Sequence, residues 1–244
     1  MTIATAQNRF YRTLGQPTGL RSFRLMVKET DLQIHSQSDL TDIALELVAQ
    51  YRGFIEGFIR RNPLFLDALV PVAFDEPVPA IVRDMIMASS KAGVGPMAAV
   101  AGAIAANVGH DLLSHTPQVI VENGGDVFVK TLSPLVMGIH AGSSPLSLRV
   151  GLKLDHEKMP LGICTSSGTV GHSRSTGNSD AVCIVSPNCA LADAAATAIG
   201  NCVHSAADIS QAIEYGRTID GVTGIVIIID DRIGCWGDVA LEAL

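Results

Sequence analysis

Aromatic side chains are scarce in this chain, at 5% of 244 residues, and charged ones are few, at 17%. The scarcity of rings excludes a platform that stacks bases. No dense cluster of Lys and Arg occurs and the formal net charge is -7, which excludes nucleic-acid binding by phosphate neutralisation. The five cysteines (Cys164, Cys183, Cys189, Cys202, Cys235) contain no CxxC pair. An odd, scattered set in apolar surroundings reads as buried reduced thiols, not as a disulfide frame or a zinc site. The opening MTIATAQNRFYR holds no apolar stretch, so no signal peptide is expected and the cytoplasm is the expected location. Strongly apolar runs of membrane length are missing too. Residues 92–109 carry no charge, but they read AGVGPMAAVAGAIAANVG. Ala and Gly contribute little transfer free energy, so a buried helix is expected and a membrane partner is not.

What is present is apolar: 48% of the residues. That fraction with so little charge excludes a disordered polymer. A chain of this length buries roughly three quarters of its unfolded surface. One domain over residues 1–244 is expected, with an internal repeat of about 22–150 and 151–244.

Residues 22–28 alternate as a strand, and 32–36 return as the second arm of a hairpin. A helix starts at Asp39; Leu40, Ile43, Leu45, Leu47, Val48, Tyr51, Phe54, Ile55 and Phe58 give it a broad apolar face, and Asn62-Pro63 stops it. Residues 81–90 form a short helix. Pro96 suits the first position of an Ala-rich helix reaching about Ser114. Strands are expected at 119–121, 127–129, 135–139, 146–152, 161–164, 181–186, 224–229 and 233–236. A second Ala-rich helix spans 189 to about 204, and a short one 209–215. Residues 165–180 read as a polar loop. GPMAAVAGAIAANVG (95–109) aligns with PNCALADAAATAIGN (187–201), and similar elements follow each. The fold class is α+β, with antiparallel sheet packed on two central Ala-rich helices.

Four segments carry candidate chemistry. Gly93-Val94-Gly95-Pro96 opens a helix, where free N–H groups and the positive dipole end suit a phosphate, although a tight connection explains it as well. Asn123-Gly124-Gly125-Asp126 is a hairpin turn. The turn accounts for Asn123 and Gly124. It leaves open why a second glycine is needed, and a turn without side chains also admits a ligand to the backbone. Thr165-Ser166-Ser167-Gly168 opens a hydroxyl-rich stretch of the kind that forms anion nests, and His172 lies within that stretch. GxSxG is absent, which argues against a Ser nucleophile. Asp193 and Thr197 stand i, i+4 in ADAAATA, so both leave one helix face. A carboxylate among alanines must find donors or a cation, and carboxylate with hydroxyl suits Mg²⁺. A capped backbone or a solvated acid is the competing reading of Asp193.

NGGD (123–126), TSSG (165–168) and ADAAATA (192–198) together resemble the flavin transferase (ApbE) family, and in particular its ApbE-like branch without a lipoprotein signal. The resemblance runs from about Ala92 to the end of the chain. It implies a T-fold-like duplicated core and Mg²⁺-dependent handling of FAD, by FMN transfer or pyrophosphate cleavage. Asp193 and Thr197 would be metal ligands. Gly93, Gly95, Asn123, Gly124, Gly125, Asp126, Thr165, Ser166, Ser167 and Gly168 would line the nucleotide cleft, and His172 would move the proton. The implied partners are a small-molecule nucleotide and a protein acceptor; a homo-oligomer stays open. The family's His followed by Asp-Pro-x-Thr-Gly does not occur after TSSG. The alternative is therefore a flavin or nucleotide binder without transfer chemistry.

Overall fold

The computed structural model describes residues 19–74, 77–168 and 176–244. The chain starts with the hairpin β1 (Arg21–Val27) and β2 (Thr30–Ser36), followed by α1 (Thr41–Arg61), the single turn α2 (Leu64–Asp67) and α3 (Ala80–Ala92). A short 3-10 turn at Pro96–Ala99 leads into α4 (Val100–Leu112). Then come β3 (Val119–Asn123), β4 (Asp126–Lys130), β5 (Leu135–Gly138), β6 (Val150–Leu154), β7 (Leu161–Ser166) and β8 (Ala181–Ser186). The chain ends with α5 (Cys189–Gly200), α6 (Ile209–Arg217), β9 (Gly224–Ile229), β10 (Arg232–Gly237) and β11 (Ala240–Ala243).

Eight strands form one sheet in the order β1-β2-β3-β4-β7-β8-β9-β10, and every neighbouring pair is antiparallel. A smaller sheet has the order β11-β6-β5. Side-chain alternation divides the interior in two. Val119, Val121, Phe128, Cys164, Ile184, Ile225 and Ile227 face the helices. Ile120, Val127, Val129, Ile163, Val185, Val226 and Ile228 join Leu152 and Leu154 of the small sheet in a second core. The central strands are covered on both faces, which is why 224–229 reads as an unbroken apolar run. This is the expected α+β architecture, with α4 over β3 and β4 and α5 over β7 and β8. No single helix among the described residues is long and apolar enough to cross a membrane.

Close approach depends on small residues. A Cβ on Gly102 would stand 2.4 Å from the Cys189 carbonyl, and one on Gly109 would stand 2.1 Å from the Phe128 ring. On Gly162 it would stand 2.3 Å from Cys189 Cα. Helices α4 and α5 can therefore lie against each other and against the sheet only because these Cβ atoms are missing.

Several local expectations change. α1 buries Ala44, Val48, Ile55 and Phe58, while Leu45 and Phe54 are exposed, so its apolar face is narrower than the spacing suggests. Pro96 starts the 3-10 turn, and regular α-helix begins at Val100. α5 ends at Gly200, where Cys202 and Val203 N–H groups tighten onto the Ile199 and Gly200 carbonyls. β6 starts at Val150, because Leu148 takes a left-handed φ of 56° in a turn that occupies the expected strand start. Thr165 and Ser166 belong to β7, not to a loop. β11 is exposed throughout and carries no burial alternation for a sequence reading to detect.

Gly162→Ala is expected to destabilise the protein by about 1–3 kcal/mol through overpacking against Cys189. Gly53 lies exposed within α1 with open space around it, so Gly53→Ala is expected to stabilise by about 0.5–1 kcal/mol. Urea midpoints of the two variants check both signs.

Candidate functional site

The site is built around the first turn of α4. That turn has no side-chain cap of its own, so its N–H groups need acceptors from elsewhere. Asp193, on α5, supplies one: its Oδ2 accepts the Gly102 N–H at 2.8 Å. The Ala101 N–H also bonds to this carboxylate. A helix thus receives its cap from the neighbouring helix, with the carboxylate at its positive end. The capping alternative from the sequence is realised here, in tertiary form.

The β3–β4 hairpin meets the same turn. Asn123 Nδ2 donates to the Ala101 carbonyl at 3.2 Å. Across the hairpin, Asp126 is the register partner of Asn123, and on its other side of Cys164. Cross-strand partners share a face, so Asp126 joins Phe128 and Cys164 on the helix side of the sheet. Burial first, and the Asp126 carboxylate second, push Asp193 well above the usual carboxylate range; the two backbone N–H groups pull the other way. Asp193 nevertheless retains some solvent contact, so it is not sealed in the core. Thr197, one turn further along α5, is likewise half-buried.

The turn's second glycine now has a packing reason. Gly124 takes φ 79°, which supplies the turn. A Cβ on Gly125 would stand 2.6 Å from the Thr165 carbonyl, and the Thr165 N–H donates to the Gly125 carbonyl at 2.9 Å. NGGD and TSSG, far apart in sequence, are therefore neighbours in space. Ser166 and Ser167 are buried. The Gly168 N–H donates to the Ser179 carbonyl at 2.9 Å, and a Cβ on Gly168 would meet the Gly177 carbonyl. The buried Ser179 hydroxyl makes no hydrogen bond. His172 lies outside the described residues.

The Gly93–Gly95 segment is placed differently. Gly93 is the left-handed cap of α3, at φ 72°. The space over Gly95 is filled by the Ala68 carbonyl, from which a Cβ would be 1.7 Å away. The N–H groups that meet the carboxylate belong to Ala101 and Gly102, a turn beyond this glycine pair. Among the described residues, no three His, Cys, Asp or Glu side chains gather as a metal cluster. An apolar cleft of about 790 Å³, lined in part by Leu154, Leu161, Val185 and Pro187, includes none of the expected site residues.

A family model described as "AbpE bacteria" matches residues 13–235. The chain belongs to this ApbE-like family. It is 38% identical over 218 residues to a UPF0280 protein of Methanocella arvoryzae, covering 89% of each chain. It is 37% identical over 222 residues to a UPF0280 protein of Methanocaldococcus jannaschii, covering 88% of this chain and 90% of that one. Its fold is similar to the flavinyl transferase ApbE of Pseudomonas stutzeri in the apo form. That likeness has a TM-score of 0.56 at 14% identity, over 89% of this chain and 94% of the other. The ApbE protein of Thermotoga maritima gives a TM-score of 0.54 at 14% identity, over 92% and 96%. The ApbE-like chain thus shares the fold of both. Its β3–β4 turn and the end of β7 at Thr165 lie beside one another, and Asn123 of that turn bonds the α4 end that meets Asp193.

The raised Asp193 fixes the sign of a pH effect. A carboxyl with a folded pKa above its unfolded value contributes stability when protonated, and that contribution is lost as pH rises through the folded pKa. In metal-free protein, Asp193→Asn is therefore expected to be more stable than wild type near neutral pH. The gap should close as pH falls to the ordinary Asp value of 3.8. Urea midpoints measured across that range, with chelator present, check it; a variant that is weaker at every pH contradicts the assignment.

Proposed function

We propose that this protein binds the pyrophosphate of a flavin dinucleotide at the α4–α5 crossing with the help of Mg²⁺, and acts on FAD as an FMN transferase or pyrophosphatase. The observation that carries the reading is the Asp193 carboxylate, held on the first turn of α4 beside a second acid, Asp126. The donor chemistry fits a hard cation. Asp193 and Thr197 present carboxylate and hydroxyl oxygen from one helix face, and a divalent ion would relieve the repulsion that lifts Asp193. These two residues would hold Mg²⁺, which supplies charge neutralisation and Lewis acidity at phosphorus.

The remaining roles belong to the chain. Asn123 ties the hairpin to α4, so that the turn stays aligned with the crossing. Gly125 brings Thr165 against that turn, placing the serines of TSSG nearby. His172 is the proposed proton acceptor from the attacking hydroxyl, a protein side chain or water. The cytoplasm is the proposed location.

A second reading has its own observation. Asp-Pro-x-Thr-Gly does not follow TSSG, which favours a flavin binder without transfer. The two readings part on turnover. Purified protein with FAD and Mg²⁺, alone and with Ser- or Thr-containing acceptor peptides, is expected to release AMP. Saturable FAD binding with no AMP selects the second reading, and neither binding nor release overturns both. Asp193→Ala is expected to weaken Mg²⁺-dependent FAD binding by at least roughly 10–100-fold, the scale seen even for partners of a metal ligand. Calorimetric titration with and without Mg²⁺ measures it.

A further inference from the structure

Two thiols lie under the site and take no part in it. Cys164 is on β7, Cys189 is the first residue of α5, and their Sγ atoms are 3.6 Å apart. Both are buried, at 0% and 2% exposure. Their contact is imposed by the backbone. Gly162, two residues before Cys164 on the same face, is so close that a Cβ there would stand 2.3 Å from Cys189 Cα. Each sulfur also bonds a carbonyl: Cys164 Sγ with Cys189 O at 3.4 Å, and Cys189 Sγ with Val127 O at 3.6 Å. The third buried thiol, Cys183, faces the other core, while Cys202 and Cys235 are exposed.

We propose that Cys164 and Cys189 are a site of oxidative modification, closing under peroxide to a disulfide that ties α5 to β7. One sulfur attacks a peroxide oxygen. The S–O bond forms, the O–O bond breaks, and the leaving hydroxide takes the thiol proton as water. The second sulfur then attacks the sulfenic sulfur. The S–S bond forms, the S–O bond breaks, and the departing oxygen takes the second proton as water. Two thiols lose two electrons and two protons, and one peroxide becomes two waters. The sulfurs must close from 3.6 Å to about 2.05 Å. Burial selects a small oxidant over a bulky disulfide.

The closure acts on the crossing. Cys189, Asp193 and Thr197 stand i, i+4 and i+8 on one face of α5. The same turn meets α4, since a Cβ on Gly102 would touch both Cys189 O and Asp193 Cβ. Drawing Cys189 toward β7 moves the helix that carries Asp193.

The test uses the full chain with Cys202→Ser and Cys235→Ser, which leaves three of the five cysteines. After native treatment with hydrogen peroxide, the protein is unfolded, its thiols are counted and its peptides mapped. The count is expected to fall from three to one, with a Cys164–Cys189 linked peptide, and dithiothreitol should restore three. Three remaining thiols, overoxidised unlinked cysteines, or a link through Cys183 would overturn the proposal. Adding Cys189→Ser should abolish the link; loss of both remaining thiols in that variant counts against the pair. The effect on the site rests on the flavin reading, whereas the covalent result does not. Linked protein is expected to bind FAD with Mg²⁺ severalfold more weakly than the dithiothreitol-treated form. Unchanged binding refutes control of the site. Absence of FAD binding in the reduced protein refutes the flavin reading and leaves the disulfide standing.

Discussion

The acid at position 193 holds two helices in relation to each other. Its carboxylate accepts the Gly102 N–H, so the open end of α4 is capped by α5. This bond needs a close crossing, and the crossing needs Gly102, where any side chain would strike Cys189 and Asp193. Asn123 then fastens the β3–β4 turn to the carbonyl side of the same α4 turn. The candidate cleft is the consequence of these contacts. Remove the Asp193 side chain, and the Gly102 N–H loses its acceptor from α5.

The arrangement has an energetic cost. Asp193 is pressed by burial and by Asp126, and the backbone donors offset only part of that. A partly buried like-charge pair is a poor structural device, and a neutral side chain would serve a mere cap better. Perturbed carboxylates gather where a protein needs charge. The proposed cation would offset this repulsion at the crossing.

Much of the fold was legible because burial leaves a period. The strands of both cores alternate, and 224–229 reads as apolar on both faces because it is covered on both. The Ala-rich helices announced themselves by small residues, which the crossing requires. Boundaries were less legible. Leu148 interrupts an apparently apolar strand by adopting φ 56°, and β11 has no buried face to give it a pattern. At the site, ADAAATA pointed to Asp193 by chemistry alone, since few uses exist for an acid among alanines. The meeting of NGGD with TSSG was not visible, because it depends on strand order: β4 pairs with β7, past the small sheet's β5 and β6. The Cys164–Cys189 contact was hidden for the same reason. Gly93 and Gly95 have local structural reasons of the tight-connection kind: one ends a helix, and the other accommodates the Ala68 carbonyl.

The central claim is that a divalent cation sits at the Asp193 carboxylate when nucleotide is bound. Anomalous diffraction from crystals grown with FAD and Mn²⁺ in place of Mg²⁺ tests it most directly. The account predicts one strong peak within coordination distance of Asp193 and Thr197, with the pyrophosphate beside it. A nucleotide bound elsewhere, or manganese absent from this carboxylate while FAD occupies the cleft, would contradict it.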